Sequence, residues 1–226
     1  MITEYGFFLD ILICVFVSLK LIYNLFNKGK SSFTIYFLMF FLSFSIFFIL
    51  FVTPFFLYHG DIAVFNKDMN LYYAIAHIFL YIGFSFLVVL VVDTFNILKK
   101  YKWIIFTISL IFGTIISIVN FTHQGNAHLD LLQEIVVFHP PRVIGVLIGI
   151  FSIFSLGLSG FIFLKYGLKL SGFARKRSLI IALGILLLMI AGPMNDNVST
   201  SSLALVAFIL SSVANTILGI GAGYFT

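Results

Sequence analysis

Long apolar runs dominate the chain, and short polar segments separate them. An α-helix needs about 20 apolar residues to cross the hydrocarbon core of a bilayer. Seven runs reach this length, at about residues 7–26, 33–58, 71–93, 103–121, 142–165, 178–195 and 200–224. The longest stretch between them has about 20 residues, which leaves no room for a soluble catalytic domain. We predict an all-α fold in which residues 1–226 form one polytopic domain, a bundle of seven transmembrane helices.

The composition supports this prediction. Hydrophobic residues make up 62% of the chain and charged residues only 9%, and there are 30 phenylalanines. A water-soluble domain of this size cannot bury so much apolar surface, so we expect the surrounding solvent, and the first partner, to be a lipid bilayer.

The start of the chain is predicted to be a retained helix. The segment before the first apolar run contains Glu4 and no lysine, and the run continues without a small-residue cleavage site, which does not fit a signal peptide. This helix also contains Cys14, the single cysteine of the chain, so no internal disulfide can form.

Basic residues are concentrated in alternate connecting segments. Ten of the 13 lysines and arginines follow the first, third and fifth predicted helices: Lys28, Lys30, Lys99, Lys100, Lys102, Lys165, Lys169, Arg175, Lys176 and Arg177. Cytoplasmic loops carry such an excess, so we predict that the N-terminus lies outside and the C-terminus lies in the cytoplasm. The net charge of +5 is then a topology signal and does not indicate nucleic-acid binding.

The third predicted helix carries a polar row. Tyr73, His77, Tyr81 and Ser85 recur every four residues, so they share one helix face. A single buried histidine can also be a structural residue that bonds to a neighbouring helix. Because tyrosines flank His77 on the same face, we predict that this helix lines a ligand site.

Two further polar positions are candidates for the same site. Asp10 lies about one turn inside the first helix, where it either caps the helix start or lines an outward-facing cavity. Pro193 is followed by Asn195, Asp196 and Asn197, which form either a polar cluster at the cavity mouth or a turn that caps the last helix.

Small residues recur every four positions in the last predicted helix. The row consists of Ala207, Ser211, Asn215, Gly219 and Gly223. It predicts close helix packing, with Asn215 bonding across the contact or to a ligand. We apply the same packing interpretation to Ser109, Gly113 and Ser117, and to Gly145 and Gly149.

The segment from His128 to Phe138 mixes apolar residues with Asp130 and Glu134, and we predict a short amphipathic helix on the outer membrane surface. Pro140-Pro141 then fixes the start of the fifth helix, because proline is tolerated in a first turn. Arg142 is predicted to lie at the outer interface, where it could pair with Glu134, Asp196 or a lipid phosphate. His139 and Arg142 would then form the cavity rim.

All five histidines fall on the predicted outer side, which makes metal or haem binding an alternative. No two histidines have the spacing of a helical ligand pair. His59 and His77, from neighbouring helices, are the candidate pair, and the sequence requires no cofactor.

The basic run Arg175-Lys176-Arg177 precedes the apolar segment SLIIALGILLLMIAG. With seven helices, an external N-terminus and an outward polar pocket, the whole chain resembles the seven-transmembrane N-terminal sensor region of bacterial histidine kinases. The resemblance implies a receptor-like sensor in a bacterial or archaeal cytoplasmic membrane. It would bind a small or lipidic ligand through the candidate residues above and signal to a separate cytoplasmic protein.

Two other functions remain open at this stage, namely a haem- or metal-binding redox protein and a small-solute transporter. The last helix has no lysine, so the retinal-binding chemistry of microbial rhodopsins does not apply. We identify no catalytic residue, and an enzyme is not the favoured interpretation.

Overall fold

The computed structural model describes residues 2–123, 126–196 and 199–224. Its helices are α1 (Ile2–Asn27), α2 (Ser32–Leu57), α3 (Ile62–Thr94), α4 (Lys102–His123), α5 (Arg142–Ser152), α6 (Leu158–Lys169), α7 (Gly172–Asn195) and α8 (Ser201–Gly219). A π-helical turn, Ile153–Gly157, joins α5 to α6, and a second one, Ile220–Tyr224, extends α8. Counting α5 and α6 as one span, the described residues contain seven helices long and apolar enough to cross a membrane. The predicted seven-helix bundle is confirmed.

The helices pack mainly against their neighbours in the chain. α2 packs against α1 and α3, α3 packs against α4, and α7 packs against α6 and α8. The contact between α1 and α8 brings the two ends of the chain together. The π-helical turn after α5 packs against α3 and α7, which closes the bundle around a shared interior.

Helix α3 starts nine residues earlier than its apolar run predicts. Its N-cap is Asp61, whose Oδ1 accepts hydrogen bonds from Ala63 N at 2.8 Å and Val64 N at 3.2 Å. At 33 residues the helix is about 50 Å long, which exceeds the hydrocarbon thickness. Its first turns therefore lie beyond the apolar span. Because these turns contain polar residues, the hydropathy pattern did not predict them as part of the helix.

The segment after α4 is a β-hairpin, so the predicted amphipathic helix is wrong. Strand β1 (Asn126–Asp130) pairs antiparallel with β2 (Ile135–His139). In the turn, Asp130 Oδ1 accepts hydrogen bonds from Leu132 N and Gln133 N, at 2.9 and 3.1 Å. The run Ile135-Val136-Val137-Phe138 is rich in β-branched side chains, which are restricted in helices and pack well in strands.

Side chains from three helices bind the two outer edges of this hairpin. Asn70 accepts from Ala127 N at 2.9 Å and donates to Ala127 O at 3.2 Å. Its side-chain amide therefore makes the two hydrogen bonds that a neighbouring strand would make with Ala127. Asn66 Oδ1 accepts from Leu129 N at 2.9 Å, and Thr3 Oγ1 accepts from Val136 N at 3.0 Å. At the turn, Ser201 Oγ of α8 donates to Gln133 O at 2.6 Å. The hairpin is thus fixed across one end of the bundle.

The predicted helix start and most of the predicted close contacts are confirmed. Pro141 is the N-cap of α5, which begins at Arg142. Gly219 lies directly against Val17 of α1, where no Cβ would fit. Gly113 likewise lies against Tyr81. For Gly145 and Gly149 the prediction is wrong, because a Cβ at Gly145 would meet only Pro140 at 3.9 Å and one at Gly149 would meet no atom within 4 Å.

Charged side chains are fixed at the end of the bundle opposite the hairpin. Lys102 Nζ lies 2.8 Å from Asp93 Oδ1, and Ser32 Oγ donates to Asp93 Oδ2 at 2.8 Å. Arg177 of α7 donates to Gly221 O at 3.1 Å, and its guanidinium lies 3.9 Å from the Phe33 ring centroid. Arg177 therefore satisfies a carbonyl group at the π-helical end of α8.

We expect Asn70→Ala to loosen the hairpin, because it leaves the N–H and C=O of buried Ala127 without partners, at a cost of about 1–3 kcal/mol. Hydrogen exchange should become faster in the peptide that covers both strands. Asn27→Ala is the matched control, since Asn27 is exposed and bonds only within its own helix. Unchanged exchange in Asn70→Ala would contradict the proposed fixation.

Candidate functional site

A narrow cavity lies in the bundle interior beneath the hairpin. The volume that the centre of a water-sized molecule can occupy within it is about 60 Å³. Its apolar walls are mainly aromatic, with rings from α1, α2, α3 and β2: Phe7, Phe44, Phe47, Phe48, Phe51, Phe84 and Phe138. Polar groups from α3, α5, α7 and α8 complete the lining: His77, Ser152, Asn195, Asp196 and Ser211.

His77 is fixed with a defined tautomer. It is 1% exposed, and its Nδ1 lies 2.8 Å from Tyr73 O. A carbonyl oxygen only accepts, so Nδ1 carries the proton and Nε2 of the neutral ring carries a lone pair. The ring packs on Tyr73 with centroids 4.2 Å apart and meets Phe47 edge-on at 5.8 Å. The predicted polar row therefore places His77 in the cavity wall.

Asp196 ends α7 at the cavity mouth. The Tyr73 hydroxyl donates to its Oδ1 over a long 3.4 Å, and Asp196 N donates to Gly192 O at 3.2 Å. Burial raises the pKa of the Asp196 carboxyl group to about 7, against a smaller opposing effect of the Tyr73 hydrogen bond. Within the described part of the chain, Asp196 forms no salt bridge, so its charge is poorly compensated.

The neighbouring Asn195 brings a second oxygen to the cavity. Its Oδ1 is buried and has no hydrogen-bond partner among the residues that the structure describes. Buried amide oxygens normally find a donor, so an unpaired one at a cavity wall is a position where a ligand donor would be favoured. Tyr81 does not line the cavity. It packs beside the site, against His77 and Phe151.

Asp10 and Asn215 form a separate cluster directly behind the cavity wall. Asp10 is completely buried and accepts three hydrogen bonds, from Ser211 Oγ at 2.8 Å, Ser212 Oγ at 3.0 Å and Asn215 Nδ2 at 3.1 Å. Asp10 therefore joins α1 to α8 and does not line the cavity itself. Ser211 belongs to both groups, since it also faces the cavity.

The remaining predicted positions are not brought into the site. Arg142 is exposed at the start of α5, and it pairs with neither Glu134 nor Asp196. His59 is exposed in the loop after α2 and is not among the contacts of His77. In the described ranges, no group of three or more His, Cys, Asp or Glu residues could hold a metal ion. Asn197 and the side chain of His139 lie outside the described residues.

Sequence reasoning missed the aromatic wall and the role of Ser211. Phe44, Phe47, Phe48 and Phe51 share one face of α2, with spacings of three and four that a helical pattern could have revealed. The contribution of Phe138 depends on the hairpin and had no local signal. Ser211 was assigned to helix packing alone.

No protein-family model matches the chain, and no curated protein sequence matches it. The function must therefore be argued from the geometry of the cavity.

We expect the contribution of Asp196 to the stability of the wild-type protein to fall as the pH rises from about 4 to 7. The folded state binds the Asp196 proton more tightly than the unfolded chain, so the stabilisation present below the unfolded-state pKa is lost as the pH passes the folded-state value. Asp196→Asn should remove this component, which is on the order of 2 kcal/mol after allowance for partial exposure.

The measurement is the unfolding temperature at pH 5 and pH 8. A thiol-reactive fluorophore can report unfolding, because Cys14 is buried. The same pH dependence in both proteins would contradict the expectation.

Proposed function

We propose that the protein is a receptor-like membrane sensor that binds a small molecule in the cavity beneath the hairpin and signals to a separate cytoplasmic partner. The observation that carries the proposal is the buried Asn195 oxygen, which has no hydrogen-bond partner among the described residues and lies in the wall of a mainly aromatic cavity. Buried polar groups without partners cost free energy, and binding sites are where such groups are retained. The resemblance to kinase sensor regions agrees with this function.

The distribution of charge supports the direction of signalling. The loops that join α1 to α2, α3 to α4 and α6 to α7 lie at the end opposite the hairpin, and these loops and their flanks carry most of the basic residues. With this basic end in the cytoplasm, the cavity and hairpin face outward. A ligand would then enter from outside, past the hairpin and Asp196.

Two helices that contact the cavity continue to the opposite end. α7 contributes Asn195 and Asp196 to the site and carries Arg177 near its start. α8 contributes Ser211 and ends in the π-helical turn to which Arg177 donates. A ligand that shifts α7 against α8 at the cavity would therefore act on the Arg177 contact. That contact is our candidate for the surface change that the partner detects.

The test fills the cavity at Gly192. A Cβ at this position meets no atom within 4 Å, and Gly192 lines the cavity, so the side chain of Gly192→Leu should occupy ligand volume. Gly149→Leu is the matched control, because it also has open space but lies outside the cavity lining.

Native mass spectrometry of protein taken from its own membrane in mild detergent should show a bound small molecule in wild type and Gly149→Leu. We expect that species to be lost from Gly192→Leu. An identical adduct in Gly192→Leu, or no adduct in the wild-type protein, would overturn the proposal.

A further inference from the structure

Three polar atoms of the cavity lining can accept a further hydrogen bond. His77 Nε2 carries a lone pair because Nδ1–H is bonded to Tyr73 O. Asn195 Oδ1 is an unpartnered amide oxygen. The Asp196 carboxyl group, when ionised, has only the long contact from the Tyr73 hydroxyl. A ligand that satisfies all three must supply several N–H or O–H donors.

The cavity mouth is also electrically negative. Asp196 and Asn195 sit at the C-terminal end of α7, where the unpaired carbonyls of a helix carry a partial negative charge. A carboxylate is disfavoured at this end, whereas a cation is stabilised there. Among the described residues no lysine, arginine or histidine forms a salt bridge with Asp196. The end of α7 thus adds negative potential around a partly buried carboxyl group that no described basic residue pairs with.

The aromatic walls fit the same type of ligand. Phenylalanine faces attract cations through the ring quadrupole, and this attraction grows when the site is shielded from water. Phe51 and Phe138 pack with centroids 5.5 Å apart at the hairpin side of the cavity, and both lie next to Tyr73. The phenylalanine rings and the acceptor Asp196, which Tyr73 contacts, therefore lie close together at the hairpin side of the cavity.

We propose that the cavity binds a small organic ammonium ion, with its N–H groups directed at Asp196, Asn195 and His77 and its carbon substituent against the phenylalanine rings. This inference deepens the proposed sensor function and rests on it. The limited volume favours a short alkylamine over a lipid chain. An anionic ligand is disfavoured, because it would lie against the Asp196 carboxylate at the negative end of α7.

The test compares three compounds of equal length in their effect on the purified full chain at pH 8, where Asp196 is largely ionised. They are propylammonium chloride, 1-propanol and sodium propionate, each at matched ionic strength. Unfolding is followed through the buried Cys14 thiol. We expect propylammonium to raise the unfolding temperature in a saturable way, and 1-propanol and propionate to have little effect.

Variants locate the effect. In Asp196→Asn the concentration for half-maximal stabilisation by propylammonium should rise at least about tenfold, which corresponds to the loss of about 1.4 kcal/mol. Asp68→Asn, which removes a carboxyl group of α3 outside the cavity lining, should respond as wild type does. Gly192→Leu should abolish the response, and Gly149→Leu should retain it.

The outcomes separate the two proposals. If 1-propanol stabilises as well as propylammonium, or Asp196→Asn responds like wild type, the ammonium assignment is overturned. In that case, a response that Gly192→Leu abolishes still supports a ligand cavity. If no compound stabilises the wild-type protein and Gly192→Leu also keeps its native adduct, both the ammonium assignment and the sensor function fail.

Discussion

The structure depends on the rule that buried backbone polar groups must find hydrogen-bond partners within the protein. A two-stranded hairpin violates this rule on both outer edges unless something pairs with them. Here Asn70, Asn66 and Thr3 supply side-chain donors and acceptors to those edges. This pairing holds Phe138 over the bundle interior, where its ring forms part of the cavity wall. The extension of α3 beyond its apolar span has the same purpose, because it carries both asparagines.

Two carboxyl groups near the hairpin, Asp10, which is fully buried, and Asp196, which is partly buried, differ in their hydrogen bonding. Asp10 accepts three hydrogen bonds and ties α1 to α8, so its environment is complete without any ligand. Asp196 has one long hydrogen bond at the unfavourable end of a helix. A carboxyl group that is fully satisfied is explained by stability. One that is left short of partners at a cavity mouth is better explained by what enters the cavity.

The sequence was sufficient for features that depend on local chemistry. Apolar run length predicted the spans, and Pro140-Pro141 predicted the start of α5. Of the polar row, His77 lines the cavity, whereas Tyr73 and Tyr81 pack beside it. Other features required tertiary information. The hairpin was mistaken for a helix because its edges are satisfied by residues more than fifty positions away, such as Asn70 for Ala127. The grouping of Asp10 with α8, and the exclusion of Arg142, likewise followed only from packing.

Close packing determines how a change at the cavity can travel. Gly219 of α8 packs against Val17 of α1 with no space for a Cβ. One to two turns before Gly219, Ser211 and Asn215 of α8 bond to Asp10 of α1, so the two helices are held together along their contact. Movement between them is therefore costly. The α7 segment at the cavity is less restrained, since Gly192 has open space and Pro193 lacks the N–H of a regular helical bond. A cation at Asp196 would consequently be expected to move the end of α7 against a rigid α1–α8 pair, rather than to separate that pair.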